Sequence, residues 1–357
     1  MPNYYGLILA GGRGTRFWPR SRRRHAKQVL TIVGQRSLIQ STVDRLTPLI
    51  PPKRLWVLTN EHLRDEIVRQ LPDVPARQIL AEPAQRNTAP AIGLAAHILH
   101  SLDRDAIMGV FPSDHVIAKP GRYRQQVRAA FRAVAKGNMA VLGIAPRWAE
   151  TGYGYIEFPR GTRKGSLAPV PVLSFREKPD ARTAKKYASA GRFFWNAGMF
   201  FWRADVLLEA LRRHLPKTAT LLASLPRFSN RQFATKLREV FPRCENISID
   251  YAVLERANNI VGLACDDIGW NDVGSWNAVY QLLDRDRDGN VALSPSIAAE
   301  SRGNYVDAGN KLVALLGANN LIVIDTADAL LIADRERAQQ VGDIVKMLEQ
   351  NRRDDLL

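Results

Sequence analysis

Along the first 150 positions, short apolar runs alternate with stretches in which apolar residues recur every three or four places. Residues 5–9 (YGLIL), 54–59 (RLWVLT), 107–111 (IMGVF) and 140–144 (AVLGI) are brief, apolar and bounded by turn formers. Strands buried on both faces of a parallel sheet take this form. Between them, residues 88–100 place Ile92, Ala95, Ala96 and Leu99 on one helical face, and residues 126–135 repeat the pattern. The alternation predicts an α/β fold, a Rossmann-like mixed but mostly parallel sheet. Trp195, Phe200 and Trp202, in a later apolar run, read as core residues.

After about residue 275 the texture changes. LLDRDRDGN (282–290) is charged and turn-like. Short β-type pieces follow at 304–306, 312–316, 321–324 and 329–332, with Gly or Asn in most gaps. A last amphipathic helix carries Val341, Ile344, Val345 and Leu348 on one face. The expected organisation is a larger α/β domain over 1–281 and a small β-rich domain over 282–357.

Apolar residues make up 46% of the 357 and charged residues 24%, an ordinary globular balance. There is no apolar run of membrane-spanning length, and the N-terminus lacks a basic start ahead of its apolar run. The expectation is a cytoplasmic protein without membrane contact. Cys244 and Cys265 have no metal-ligand spacing and read as buried, reduced thiols. Charge changes the picture more. Lys plus Arg number 51 against 35 Asp plus Glu, a net charge of +16, which favours anionic partners. No basic stripe interleaved with aromatics, zinc-finger spacing or helix-turn-helix signature accompanies it. Phosphorylated small molecules are therefore expected rather than nucleic acid.

The densest basic cluster, residues 20–24, lies in LILAGGRGTRFWPRSRRRHAKQVL (7–30). Gly11, Gly12 and Gly14 follow the first strand, where glycine permits positive φ and close approach to a ligand. Successive amides there can form an anion-binding concavity. The stretch is not a GxxxxGK[ST] loop, and Phe17 occupies the third glycine position of a dinucleotide fingerprint. Thr15, Arg16 and Lys27 add polar and cationic groups at a strand's carboxyl end, where open α/β sheets bind ligands.

The pattern L-A-G-G-x-G-T-R-x-W-P, followed by K-Q, resembles the signature of the nucleotidyl-sugar pyrophosphorylases. Its Trp and Lys-Gln spacing is most similar to that of the mannose-1-phosphate guanylyltransferases. Further pieces follow in the family's order: EPAQRNTAPAI (82–92), FPSDHVI (111–117), TGYGYIE (151–157), FREKP (175–179), WNAGMFFW (195–202), SIDYAVLE (248–255) and GWNDVGSW (269–276). Ala26 departs from the family's usual proline before Lys-Gln, Gln85 from its usual Gly or Glu, and the run 20–24 is unusually rich in arginine.

The resemblance implies a GT-A-like nucleotidyltransferase domain and a short left-handed β-helix at the C-terminus. It implies that mannose 1-phosphate and GTP give GDP-mannose and diphosphate. It assigns the triphosphate to Gly12, Gly14, Thr15, Arg16 and Lys27, and the sugar phosphate to Lys178. Leu9, Ala10, Gly11, Asn87 and Thr88 would surround the base. Gly152, Tyr153, Glu157 and Asn196 would meet the sugar, with Arg16, Lys27 and Lys178 as the catalytic cations. Mg2+ would be held by Asp114 and Asp272, with His115 structural. A homodimer is implied, and the chain's end soon after residue 348 leaves no isomerase domain expected. Another sugar 1-phosphate, or a non-catalytic nucleotide-sugar sensor, are the alternatives.

Overall fold

The computed structural model describes residues 3–357. Four parallel strands form one side of the main sheet: β1 (Tyr4–Leu9), β2 (Leu55–Asn60), β3 (Ile79–Glu82) and β4 (Ile107–Pro112), in the order β3-β2-β1-β4. Beyond β4 lie Phe193–Arg203, then Met139–Ile144, then Ile260–Cys265. Phe193–Arg203 runs antiparallel to both its neighbours, and the sheet is otherwise parallel along this stretch. The four strands expected at 5–9, 54–59, 107–111 and 140–144 stand within a residue of those bounds, as β1, β2, β4 and Met139–Ile144, whereas β3 and Ile260–Cys265 were not expected. The antiparallel strand was visible in the sequence only as an apolar run. Trp195 and Trp202 within it are wholly buried.

Helices Thr88–Leu102, Pro120–Ala133 and Ala204–His214 cover the sheet faces. The second starts earlier than its apolar spacing suggests, because Pro120 fits the first helical turn. Strand order reverses between β1 and β4: the chain leaves β1 for β2 on one side and reaches β4 on the other. Loops from the carboxyl ends of these strands open a crevice there. Gly109 keeps β4 close to its neighbours, since a Cβ would lie 2.7 Å from the Phe111 ring and 2.9 Å from that of Phe131.

The C-terminal part is built of parallel coils. Val291–Ala292, Tyr305–Asp307 and Leu321–Asp325 pair in parallel, as do Ser296–Ala299 and Val313–Leu316. Asparagines stack inside the turns. Asn290 Oδ1 accepts from the Asn304 backbone N–H and side-chain amide at 3.0 Å, and Asn304 Oδ1 accepts from the Leu321 N–H at 2.9 Å. These buried amides satisfy one another. Helix Val341–Gln350 returns to the glycine loop.

A shared apolar cluster joins the two parts. Phe17 and Trp18 pack with Trp276, Tyr305, Val341, Val345 and Leu357. Trp276 is 1% exposed and its indole N–H donates to the Trp18 carbonyl at 3.1 Å. Trp276→Ala should therefore cost about 3–5 kcal/mol of unfolding free energy, read as a lowered urea midpoint. An unchanged midpoint would mean that the two parts do not share this core.

Candidate functional site

The glycine loop leaves β1 with its carbonyls turned inward. Buried Gln28 donates its side-chain amide to the Ala10 carbonyl at 2.6 Å and to that of Gly12 at 3.0 Å. Thr59 Oγ1 also donates to Ala10 O. The amides of Gly11, Gly12 and Gly14 make no backbone hydrogen bond among the described residues, which leaves them free to donate. Gly14 has φ +62°, and a Cβ there would stand 2.5 Å from Lys27 Cβ and 2.9 Å from the Lys27 nitrogen. Only glycine allows the loop to lie against Lys27 in this way. Ala26, just before, holds φ −72°, within the range that proline would fix.

Lys27 is 6% exposed. Its ammonium donates to Asp114 Oδ2 at 2.8 Å and to the Asp272 carbonyl at 2.7 Å. Two residues distant in sequence thus meet at one cation. Asp114 follows β4, and Asp272 follows a short ribbon in which Trp270–Asn271 pairs with Val116–Ile117. Burial raises the Asp114 pKa, but Lys27, with His115, brings it below the ordinary carboxylate value on balance. The Asp272 carboxylate accepts from Tyr153 Oη at 2.6 Å. Tyr153 stands among Trp195 and Trp270, with ring centroids 5.3 Å away in each case. Burial first, and Asp272 second, push its phenol pKa well up, so it remains a donor. His115 Nδ1 accepts from the Trp270 indole at 3.1 Å, and burial lowers its pKa to about 4. It is a neutral structural histidine.

Beside the loop lies a cleft of about 490 Å3, lined by Leu9, Gly11, Gly12, Glu82, Gln85, Asn87 and Thr88 among others. Ala10 does not offer its backbone to this cleft: its N–H donates to Leu58 O and its carbonyl is taken. Asn87 caps the Thr88–Leu102 helix as well as lining the cleft, its Oδ1 accepting from the Thr88 N–H. Thr88 Oγ1 is engaged by the Ile249 N–H at 2.9 Å, which fastens the cleft to the turn carrying Asp250. The sequence reading missed Glu82, the last residue of β3. Its carboxyl is desolvated, and burial raises its pKa to about 8. An acidic residue closing an apolar strand was the available signal.

Across the crevice, Lys178 Nζ lies 3.0 Å from Glu177 Oε1. Glu177 Oε2 is buried without a hydrogen-bond partner among the described residues, and it lies where a Cβ on Gly154 would collide, at 2.3 Å. Asn196 is committed to the protein: its side-chain amide donates to Asp250 Oδ1 at 3.1 Å, and its Oδ1 accepts from the Gly198 N–H. Burial raises the Asp250 pKa to about 6. The expected role of Glu157 needs correction. Its Oε1 lies 2.8 Å from Arg192 Nε and its Oε2 accepts from Ser174 Oγ, so both oxygens are engaged outside the cluster. The Gly152 amide likewise donates to Glu150 rather than lying free. Glu177, in the same FREKP segment as Lys178, has its unpaired oxygen beside Gly154 instead.

Arg16 is exposed and forms no ion pair among the described residues, but the arginines beside it do not share that freedom. Arg13, Arg20, Arg22 and Arg23 pair with Glu349, Asp307, Asp328 and Asp354. Non-glycine residues with positive φ include Asn87, Lys178 and Val273, one in each wall of the crevice. Such strain concentrates where a ligand must be met.

A family described as nucleotidyl transferase matches residues 5–289, and one described as a MannoseP isomerase/GMP-like beta-helix domain matches residues 294–348. The chain is 36% identical to a mannose-1-phosphate guanylyltransferase of Klebsiella pneumoniae over 98% of its own length and 74% of the relative's. It is 37% identical to one of Escherichia coli over 97% and 74%. A solved structure described as a mannose-1-phosphate geranyltransferase from Thermus thermophilus superposes with TM-score 0.86 at 32% identity, covering 98% of this chain and 100% of that one. The chain therefore belongs to the nucleotidyl transferase family, and within it to the mannose-1-phosphate guanylyltransferases.

Proposed function

We propose that the protein joins mannose 1-phosphate to the guanylyl group of GTP, releasing diphosphate and GDP-mannose. The observation that carries this reading is the meeting of Asp114 and Asp272 at Lys27, directly behind a loop whose free amides face the same crevice. An oxygen of the sugar phosphate attacks the α-phosphorus of GTP. The bond from that phosphorus to the bridging oxygen breaks, and its electron pair leaves with diphosphate. The attacking phosphate is already ionised at neutral pH, so no general base is required. What opposes reaction is repulsion between two polyanions, and catalysis reduces to positioning and charge neutralisation.

The residues divide that task. The amides of Gly12, Gly14 and Thr15, with the unpaired Arg16, receive the departing phosphates. A planar guanidinium suits this because it can hold phosphate through two parallel hydrogen bonds. Lys27 supplies a second cation and Lys178 meets the sugar phosphate. In the cleft, Glu82 is placed to accept from donors on the guanine edge, with Leu9, Gly11, Asn87 and Thr88 around it. Glu177, backed by Asp250 and its partner Asn196, supplies oxygens to sugar hydroxyls, and Tyr153 holds Asp272 in place.

Asp114 and Asp272 would hold a divalent cation. Their hard oxygen donors suit Mg2+, which binds one or two carboxylates and completes its shell with phosphate and water. No group of three or more His, Cys, Asp or Glu side chains suited to a metal occurs among the described residues, so such an ion would depend on substrate oxygens. Bound, it would neutralise phosphate charge during transfer.

The outer faces of the C-terminal sheets expose Ile297, Leu312, Leu316, Leu330 and Ile332. These exposed aliphatic side chains support a homodimer built there.

Diphosphate release, measured with Mg2+ over a grid of nucleoside triphosphates and sugar 1-phosphates, should be fastest with GTP and mannose 1-phosphate. A different best pair would move the specificity, and silence from folded protein would end the catalytic reading. Asp272→Asn should keep its fold by circular dichroism yet lose at least about 100-fold in turnover, roughly 2.7 kcal/mol of barrier. Normal turnover would remove Asp272 from the metal site. Sedimentation at micromolar concentration should give twice the 39.9 kDa chain mass, whereas a lone species of 39.9 kDa would exclude the dimer.

A further inference from the structure

The segment between the glycine loop and Lys27 is held from outside by the C-terminal part. Arg13 donates to Glu349 Oε1 at 2.5 Å on the terminal helix. Arg20 pairs with Asp307 in the coil strand Tyr305–Asp307. Arg22 reaches Asp328 at 2.9 Å, and Arg23 reaches Asp354 at 2.8 Å. The Trp18 indole donates to the Leu356 carbonyl at 3.0 Å. Helix Val341–Gln350 passes so close that a Cβ on Gly342 would stand 3.4 Å from Thr15 Oγ1 and 3.9 Å from Arg16 Cγ.

Thr15 and Arg16, the side chains given to the triphosphate, are thus bracketed. Arg13 is anchored before them, and residues 17–23 after them. Every one of these anchors lies beyond residue 270. We propose that Asp307, Asp328, Glu349 and Asp354 are positioning residues, through which the C-terminal part sets the glycine loop before GTP arrives. The inference rests on the loop being the triphosphate cradle.

One exposed ion pair contributes little on its own, and three of these pairs are substantially exposed. Their effect is joint, because all act on one short segment. A loop free to sample other shapes must be ordered when ligand binds, and that ordering opposes binding. A loop already fixed avoids the cost. The apolar cluster of Phe17, Trp18 and Trp276 keeps the two parts together without the ion pairs. Loss of the pairs should accordingly appear in nucleotide affinity and leave the fold intact. Three of the four arginines of the run 20–24, Arg20, Arg22 and Arg23, thus face acidic residues of the same chain rather than the ligand.

The test is a triple variant, Asp328→Asn with Glu349→Gln and Asp354→Asn, in the full chain. The KM for GTP and the calorimetric Kd for GTP should rise about tenfold, and the KM for mannose 1-phosphate should change by less than about twofold. The melting temperature should stay near that of the wild type. The Arg22→Asp, Asp328→Arg exchange should restore more GTP affinity than either single change leaves. Should the triple variant fail to fold, the Arg22 and Asp328 singles and their exchange decide alone. Unchanged GTP affinity, equal loss for both substrates, or no recovery in the exchange would each overturn the proposal. A wild type that binds GTP but never releases diphosphate would overturn the catalytic reading instead, and calorimetry would still report on the loop.

Discussion

The site depends on one ammonium removed from water. Lys27 is nearly buried, and an ion in that position is costly unless its partners are close and well aimed. It has an acidic oxygen from one loop and a carbonyl from another. Those contacts draw the chain after β4 and the chain after Ile260–Cys265 to a common point. Gly14 lets the loop after β1 lie against the same residue, because any Cβ there would strike it. Next in sequence, Gln28 turns the loop's carbonyls inward. The Lys-Gln pair therefore acts as one device: the lysine closes the acidic side and the glutamine opens the amide side.

Strain is arranged around this point rather than spread over the molecule. Val273, a β-branched residue with φ +49°, follows Asp272 directly. Lys178 at φ +46° carries the ammonium opposite, and Asn87 at φ +63° opens the base-side helix. Left-handed backbone is unfavourable for such residues. Surrounding structure holds two of them: the Asn271 side chain accepts from the Val273 N–H, and Thr88, next to Asn87, is tied to Ile249.

Legibility in the sequence followed how local each cause was. Four strands of the main sheet and the terminal helix were legible because burial on both faces, or on one, leaves a periodic mark, whereas β3 and Ile260–Cys265 were not. In the glycine loop Gly14 was legible because its positive φ selects the residue. The place of Phe193–Arg203 between β4 and Met139–Ile144 was not, since nothing in an apolar run states which neighbours it will have or in which direction. Glu157 and Glu177 show the same limit within the site. Both are acidic residues in family-like segments, and they separate only once the partners are visible. Arg192 lies against one oxygen of Glu157 and Ser174 Oγ donates to the other, whereas Glu177 keeps one buried oxygen unpaired among the described residues. Glu82 escaped notice because its distinguishing property is loss of solvent, which no spacing records.

Net charge is the sequence property most changed by the fold. A surplus of +16 suggests anionic ligands, yet the densest arginine cluster includes cations already committed to acidic partners. Arg20, Arg22 and Arg23 pair across the C-terminal part, and Arg13 joins them. Of the cations expected at the phosphates, Arg16 lacks an acidic partner among the described residues, and Lys27 and Lys178 share theirs at the crevice. A charge count measures attraction at long range, and within a site the deciding quantity is which charges remain uncompensated. By that measure the exposed guanidinium of Arg16, between anchored neighbours, keeps a charge that the paired arginines after it have already neutralised against acidic partners.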